Sequence, residues 1–352
     1  MRALKLFART VLSLAMSAVF VWLSLRHTDV RAVGRAMASA DPVRLVAYVG
    51  MLLVIHLVRT VRWGLLLKPL GEVSFKRLNS ASAVGWMLLV LLPLRLGEFA
   101  RPLLIARPPA GGGQQLRRSG ALASIVVERI VDGITIGLLG ILCLRMLGQS
   151  ASGRYFEFAK SASVLVALGF LTLCAALVLA VFFHDRAVAL AERLLQPLSP
   201  RLAARATGML DAFISAVHLG SGWRLVLFFA LTTLYWTLTA AALGILARGF
   251  GFNSLTPLML AVMLTIQVVG AMVPAGPGMV GTMQFFTQAG LSLFDAGGFS
   301  ARGAAFANTV WLLQFVVQVG LGVTFLVAGH VSLKGLFGAA AAEGEATAPA
   351  AS

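Results

Sequence analysis

Apolar runs of roughly bilayer length recur along this chain, and short basic loops separate them. A membrane-spanning helix needs about 20 mostly apolar residues. Such runs cover Leu4 to Leu25, Val43 to Trp63, Ser119 to Leu144, Ser161 to Phe183, Leu225 to Ala247 and Gly303 to Gly329. Two further apolar stretches are interrupted. Leu78 to Leu94 is uncharged for 17 residues, breaks at Pro93, and continues through Arg95, Gly97 and Glu98 to a short segment ending near Ala106. Gly249 to Phe294 is uncharged for 46 residues and breaks at Pro274-Ala275-Gly276-Pro277-Gly278, with Gly281 just beyond. Its arms are about 17 and 16 residues, short for full spans, which favours a re-entrant segment over a plain turn between two spans. The pattern predicts an all-α polytopic membrane protein with about six full transmembrane helices and two re-entrant broken helical hairpins.

Between Phe183 and Leu225 the pattern changes. His184 to Gly222 mixes charges with apolar residues, and Leu202, Ala206, Met209, Leu210, Phe213 and Val217 recur at helical spacing. This reads as a basic amphipathic helix on the membrane surface or as a cytosolic cap on the bundle. The tail, 338–352, is rich in Ala, Gly and Glu and reads as disordered. The N-terminal run after Met1-Arg2 has no small-residue cleavage site, so it reads as an uncleaved first helix.

Composition agrees with the membrane class. The 352 residues are 59% hydrophobic and 12% charged, where soluble domains carry about 25% charged residues. The net charge of +16 comes from Lys and Arg in loops beside apolar runs. That placement suits anionic headgroups and the positive-inside rule, not nucleic acid. The loops holding Lys68, Lys76 and Arg77, and Arg107, Arg117 and Arg118, therefore belong in the cytoplasm, and both termini with them. The expected location is the inner (cytoplasmic) membrane. The first broken segment then enters from the cytoplasm and the second from the opposite face. Half-repeats of about 1–148 and 160–330, within one domain of 1–337, each read span, span, broken hairpin, span. Three spans per half inverts the second half relative to the first, as in many secondary transporters.

Candidate chemistry gathers at the first break. Glu98 and Arg101 are three residues apart, so they share a helical face, and Arg95 lies beside them. The next span holds Glu128, Arg129 and Asp132. Glu128 lies ten residues after Arg118, roughly 15 Å into the bilayer. Glu128 and Asp132 are four apart and face the same way. Charges at that depth are costly unless paired, so these six residues form one buried network or a polar cavity wall. A helix restarting after a break also aims amides at the membrane interior, where they attract phosphate-like anions. The network reads as a site for a polar or anionic headgroup, against the plainer reading that it only holds helices together. Gln284 and Gln288 follow the second break and add a polar group there. Arg59, Arg62 and Trp63 end a span and read mainly as interfacial anchors. Cys143 and Cys174 fall in apolar runs and form no metal pattern, and no cofactor or metal is expected.

Several of these stretches occur in a familiar order: Arg59-Thr-Val-Arg62-Trp63, Pro93-Leu-Arg95-Leu-Gly97-Glu98, Glu128-Arg129-Ile-Val-Asp132 and Pro277-Gly278-Met-Val-Gly281-Thr. The chain resembles the lysylphosphatidylglycerol synthase transmembrane-region family of flippase-like membrane proteins over nearly its whole length. The resemblance implies a flippase-like fold and membrane lipids as partners, with lipid-biosynthesis enzymes as candidate protein partners. In the namesake the domain precedes a synthase domain. Here the chain ends soon after the last span, so lysyl transfer is not implied. Family members often carry Pro-Gly-Gly-x-Gly followed by Glu; here Met279 and Gln284 stand at two of those positions, so a carboxylate role at the second break is not expected. The sequence contains no GxxxxGK[ST] phosphate loop, so ATP is not the expected energy source. The expectation is a lipid flippase or lipid-binding protein without catalytic activity. Its rivals are a non-transporting scaffold and a membrane-embedded lipid-modifying enzyme.

Overall fold

The computed structural model describes residues 2–26, 28–92, 97–106, 116–147, 183–197, 222–273 and 276–328, with isolated positions between 161 and 207. Among them every regular element is helical. In chain order these are α1 (Arg2–Leu25), α2 (Val30–Ala38), α3 (Pro42–Leu67), α4 (Phe75–Leu91), α5 (Ala100–Ile105), α6 (Arg118–Leu147), α7 (His184–Leu195), α8 (Gly222–Gly249), α9 (Pro257–Met272), α10 (Thr282–Leu291) and α11 (Ala301–Val327).

Helix ends follow local chemistry. Asp41 accepts from the amide of Val43 and Pro42 occupies the first turn, so α3 begins there. Ser300 caps α11 by accepting from Gly303. Among the described residues three stretches are long and apolar enough to cross a membrane: Pro42–Leu70, Trp223–Gly249 and Ala301–Val327. They match three of the six expected full spans. α1 and α6 have the length, but α1 begins with Arg2, Lys5 and Arg9, and α6 carries Glu128, Arg129 and Asp132 at mid-helix. The expected span Ser161–Phe183, most of the mixed segment after Leu195 and the 338–352 tail lie outside the described residues.

Large apolar side chains lie on the surface, and the mainly apolar interior holds a set of polar and charged ones. Val43, Val46, Leu53 and Val61 on α3 and Trp223, Val226 and Phe229 on α8 point outward, while Arg62, Glu128, Ser82 and Gln288 are buried. A large apolar exterior in this arrangement faces hydrocarbon.

Both broken stretches form hairpins. α4 packs on α5 and α9 on α10. At 1.5 Å per residue α9 is roughly 24 Å long and α10 roughly 15 Å, both shorter than a bilayer core of about 30 Å. In the first hairpin a side chain at Gly97 would overlap the backbone of Leu88 and Leu89, so close passage of the chain requires glycine. In the second, Gly281 has φ +86, and a Cβ there would fall 2.5 Å from the Ser17 carbonyl oxygen of α1. α1 grips this turn further: the Gly276 amide donates to Ser17 Oγ at 2.9 Å, and Phe20 packs against Phe285 and Phe286.

The packing has an internal exchange. α3 packs on α8; α4 packs on α11 as α9 packs on α6. Swapping α3–α6 for α8–α11 exchanges the α4–α11 and α6–α9 contacts and returns the α3–α8 contact to itself.

Candidate functional site

α3 presents His56, Arg59, Arg62 and Trp63 along one buried side, at helical spacing. α6 turns Glu128 and Asp132 toward it, one turn apart. The Arg62 guanidinium donates from Nη1 to Asp132 Oδ1 at 2.5 Å and from Nη2 to Asp132 Oδ2 at 3.0 Å and to Glu128 Oε1 at 2.7 Å. Arg101, on α5, donates from Nη2 to the other Glu128 oxygen at 2.5 Å. Glu128 is therefore clasped between two arginines from two other elements, and neither it nor Arg62 has exposed surface. Arg129 lies 3.6 Å from both Glu128 and Asp132. The forked geometry suits guanidinium–carboxylate pairing, which satisfies several donors at once.

Trp86 of α4 stands at the centre of the cations. The guanidinium carbons of Arg59, Arg101 and Arg129 lie 3.5, 4.7 and 5.7 Å from its ring centroid. The indole face attracts each of them. Trp63 donates from Nε1 to Ser124 Oγ at 3.0 Å and is fully buried. The expected interfacial anchors are thus corrected: Arg59, Arg62 and Trp63 point into the protein, because α6 and α4 cover that face of α3.

Arg129 and Asp132 of the network border a cavity of about 500 Å³. Its walls come from both halves. Arg59, Trp86, Glu98, Arg129 and Asp132 line it from the first half, and Tyr235, Trp236, Gly278, Met279 and Trp311 from the second. The first half supplies the charge; the second supplies aromatic rings, methionine and uncharged polar side chains, among them Thr239, Gln267, Gln314 and Gln318. The Gly278 carbonyl, held by Trp311 Nε1 at 2.7 Å, fixes the second break against α11.

The predicted residues divide by position. Glu98, Arg129, Asp132 and Gly278 reach the cavity wall. Glu128 and Arg101 join the same ion network, but they stand behind the wall and hold it. Gln284 is not on the wall: its Oε1 accepts from the Gly281 amide at 2.8 Å and so caps α10. Pro277 opens the one-turn helix Pro277–Met279, and the Gly276 amide is taken by α1. Pro93, Arg95 and Pro274 lie outside the described residues. Trp86, His56, Tyr235 and Trp236 were not singled out by sequence. The available signal was an indole or imidazole in the middle of a span rather than at its edge. Among the described residues, no group of three or more His, Cys, Asp or Glu is placed to hold a metal ion.

The family described as the lysylphosphatidylglycerol synthase TM region matches residues 10–322, which contain both breaks and every residue of the network. The chain belongs to that family. No curated protein and no solved structure matches it. Membership in the lysylphosphatidylglycerol synthase transmembrane-region family makes this a multi-pass, membrane lipid-related protein.

Proposed function

We propose that this protein is a flippase: it binds a lipid with a polar, anionic headgroup in the cavity between its halves and passes it between leaflets of the inner membrane. One observation carries the reading, the cavity of about 500 Å³ walled by both chain breaks. Discontinuous helices meeting at a polar site between repeats are the recurring architecture of secondary transporters. The exchangeable packing of α3–α6 and α8–α11 supports two repeats able to rock against each other about the α3–α8 contact. The hairpin arms, too short to span, support re-entrant segments entering from opposite faces, with both termini cytoplasmic. The headgroup sits against Arg59, Glu98 and Arg129 while the acyl chains remain in lipid. In this reading the carboxylates position arginines and catalyse nothing.

Translocation of fluorescent phosphatidylglycerol in proteoliposomes, read by dithionite quenching of the outer leaflet, tests this. Wild type moves the lipid. Thr239→Trp, which fills the cavity from α8, and Glu98→Gln each slow it at least tenfold at equal folded abundance. Wild-type vesicles no faster than empty ones end the flippase reading. Chemical conversion of the lipid by purified protein replaces it with an enzyme.

A further inference from the structure

Among the described residues, the charges around the cavity do not balance. Among the described residues the cluster holds Arg59, Arg62, Arg101 and Arg129 against Glu98, Glu128 and Asp132. Arg62 and Arg101 are engaged by Glu128 and Asp132. Arg129 lies near the same two carboxylates and is drawn also by Glu98. Arg59 is left over. It is 8% exposed, its Nε has no acceptor, and no described carboxylate lies within ion-pair distance of it. Its firm contact is with the Trp86 ring, and it lines the cavity. A cation withdrawn from water calls for a counter-charge, and the described residues do not supply this one.

Hydrogen-bond capacity leans the same way. Among the described residues lining the cavity, the buried side-chain atoms without a partner include four donors, Nε of Arg59 and Arg129 and Nε1 of Trp86 and Trp236, against one acceptor, Gln318 Oε1. Donors around the cavity therefore exceed acceptors, which suits a ligand rich in oxygen acceptors. The carboxylates are already faced by arginines, so an ammonium group entering the cavity meets no carboxylate without a cation beside it.

We infer that Arg59, seated on Trp86, binds the anionic oxygens of a phosphate-type ligand, and that the cavity selects headgroups with net negative charge over those carrying their own ammonium. This rests on the same cavity as the flippase reading, but it requires binding only.

The test uses the purified full chain in detergent and follows thermal unfolding with added dioctanoyl phosphatidylglycerol, dioctanoyl phosphatidylethanolamine or glycerol 3-phosphate. Phosphatidylglycerol raises the melting temperature at concentrations at least tenfold below those of phosphatidylethanolamine. Arg59→Gln removes that preference and, with no lipid present, melts at or above wild type, because an uncompensated charge has gone; Arg59→Lys keeps part of the preference. A residue that only holds the fold together would instead lower the unliganded melt. Equal affinity of wild type for the two lipids overturns the inference and needs no variant. So does an Arg59→Gln protein that still prefers phosphatidylglycerol. Glycerol 3-phosphate acting as strongly as the lipid upholds the anion seat and assigns it to a soluble phosphate. Selective binding without translocation upholds Arg59 and overturns the flippase reading alone.

Discussion

Glu128 has no contact with solvent and receives hydrogen bonds from Arg62 and Arg101 on separate helices. Removing one member of such a buried set leaves the others uncompensated, at a cost of about 3–5 kcal/mol. Glu128→Gln is expected to destabilise the protein by that order, read as an earlier thermal melt in detergent. Asp132→Asn costs less, because Arg62 retains Glu128. A double variant, Glu128→Gln with Arg101→Gln, recovers part of the loss, since it removes a cation together with its partner. A Glu128→Gln melt equal to wild type rules out the structural role given to the network. The carboxylates of this site were legible in the sequence, because Glu and Asp four apart inside an apolar span must share a face and need partners. The identity of the main partner was not. Arg62 lies 66 positions from Glu128, and spacing along α3 tells which side Arg62 occupies but not which helix covers that side. Its place at the end of an apolar run made an interfacial anchor the natural reading, until α4 and α6 closed over it.

Breaks in apolar runs proved more legible than short amphipathic pieces. Proline and glycine inside otherwise continuous hydrophobic stretches marked where α4 gives way to α5 and where α9 gives way to α10. α2, only nine residues long and capped by Asp29, carries too little hydropathy to register, although it packs along α11. The hold of α1 on the second hairpin was also invisible, because much of it runs through backbone groups of distant segments: the Gly276 amide donating to Ser17 Oγ, and the backbone of Ser17 and Val21 against Gly281. Gly281→Ala combines a positive φ with overlap against α1, and is expected to destabilise by about 1–3 kcal/mol. Ser17→Ala leaves a buried amide without its acceptor, at about 1–3 kcal/mol. Gly320→Ala, in α11 with nothing within 4 Å of the added carbon, is the control and is expected to be neutral or stabilising. Thermal melts of the three variants decide. If Gly281→Ala behaves like Gly320→Ala, α1 does not clasp the second break.

At the scale of the whole molecule, the exchange of α3–α6 for α8–α11 relates the two halves through their packing, and the basic loops decide how that relation lies in the membrane. Glu72, in the exposed turn between α3 and α4, and Asn253, in the exposed turn between α8 and α9, occupy matching places in the two halves. A parallel repeat puts both on one face; an inverted repeat puts them on opposite faces. Three crossings separate them if α6, the apolar run 161–183 and α8 each traverse the bilayer once, and an odd number demands inversion. With Cys143 and Cys174 replaced by alanine, Glu72→Cys is expected to react with a membrane-impermeant maleimide only in inside-out vesicles, and Asn253→Cys only in intact spheroplasts. Labelling of both from the same side removes the inversion and, with it, the opposed entry of the two hairpins. The cavity would then be a pocket opening toward one face rather than a passage with a door on each. The proposed flippase mechanism depends on this point, because alternating access needs each break to serve one face.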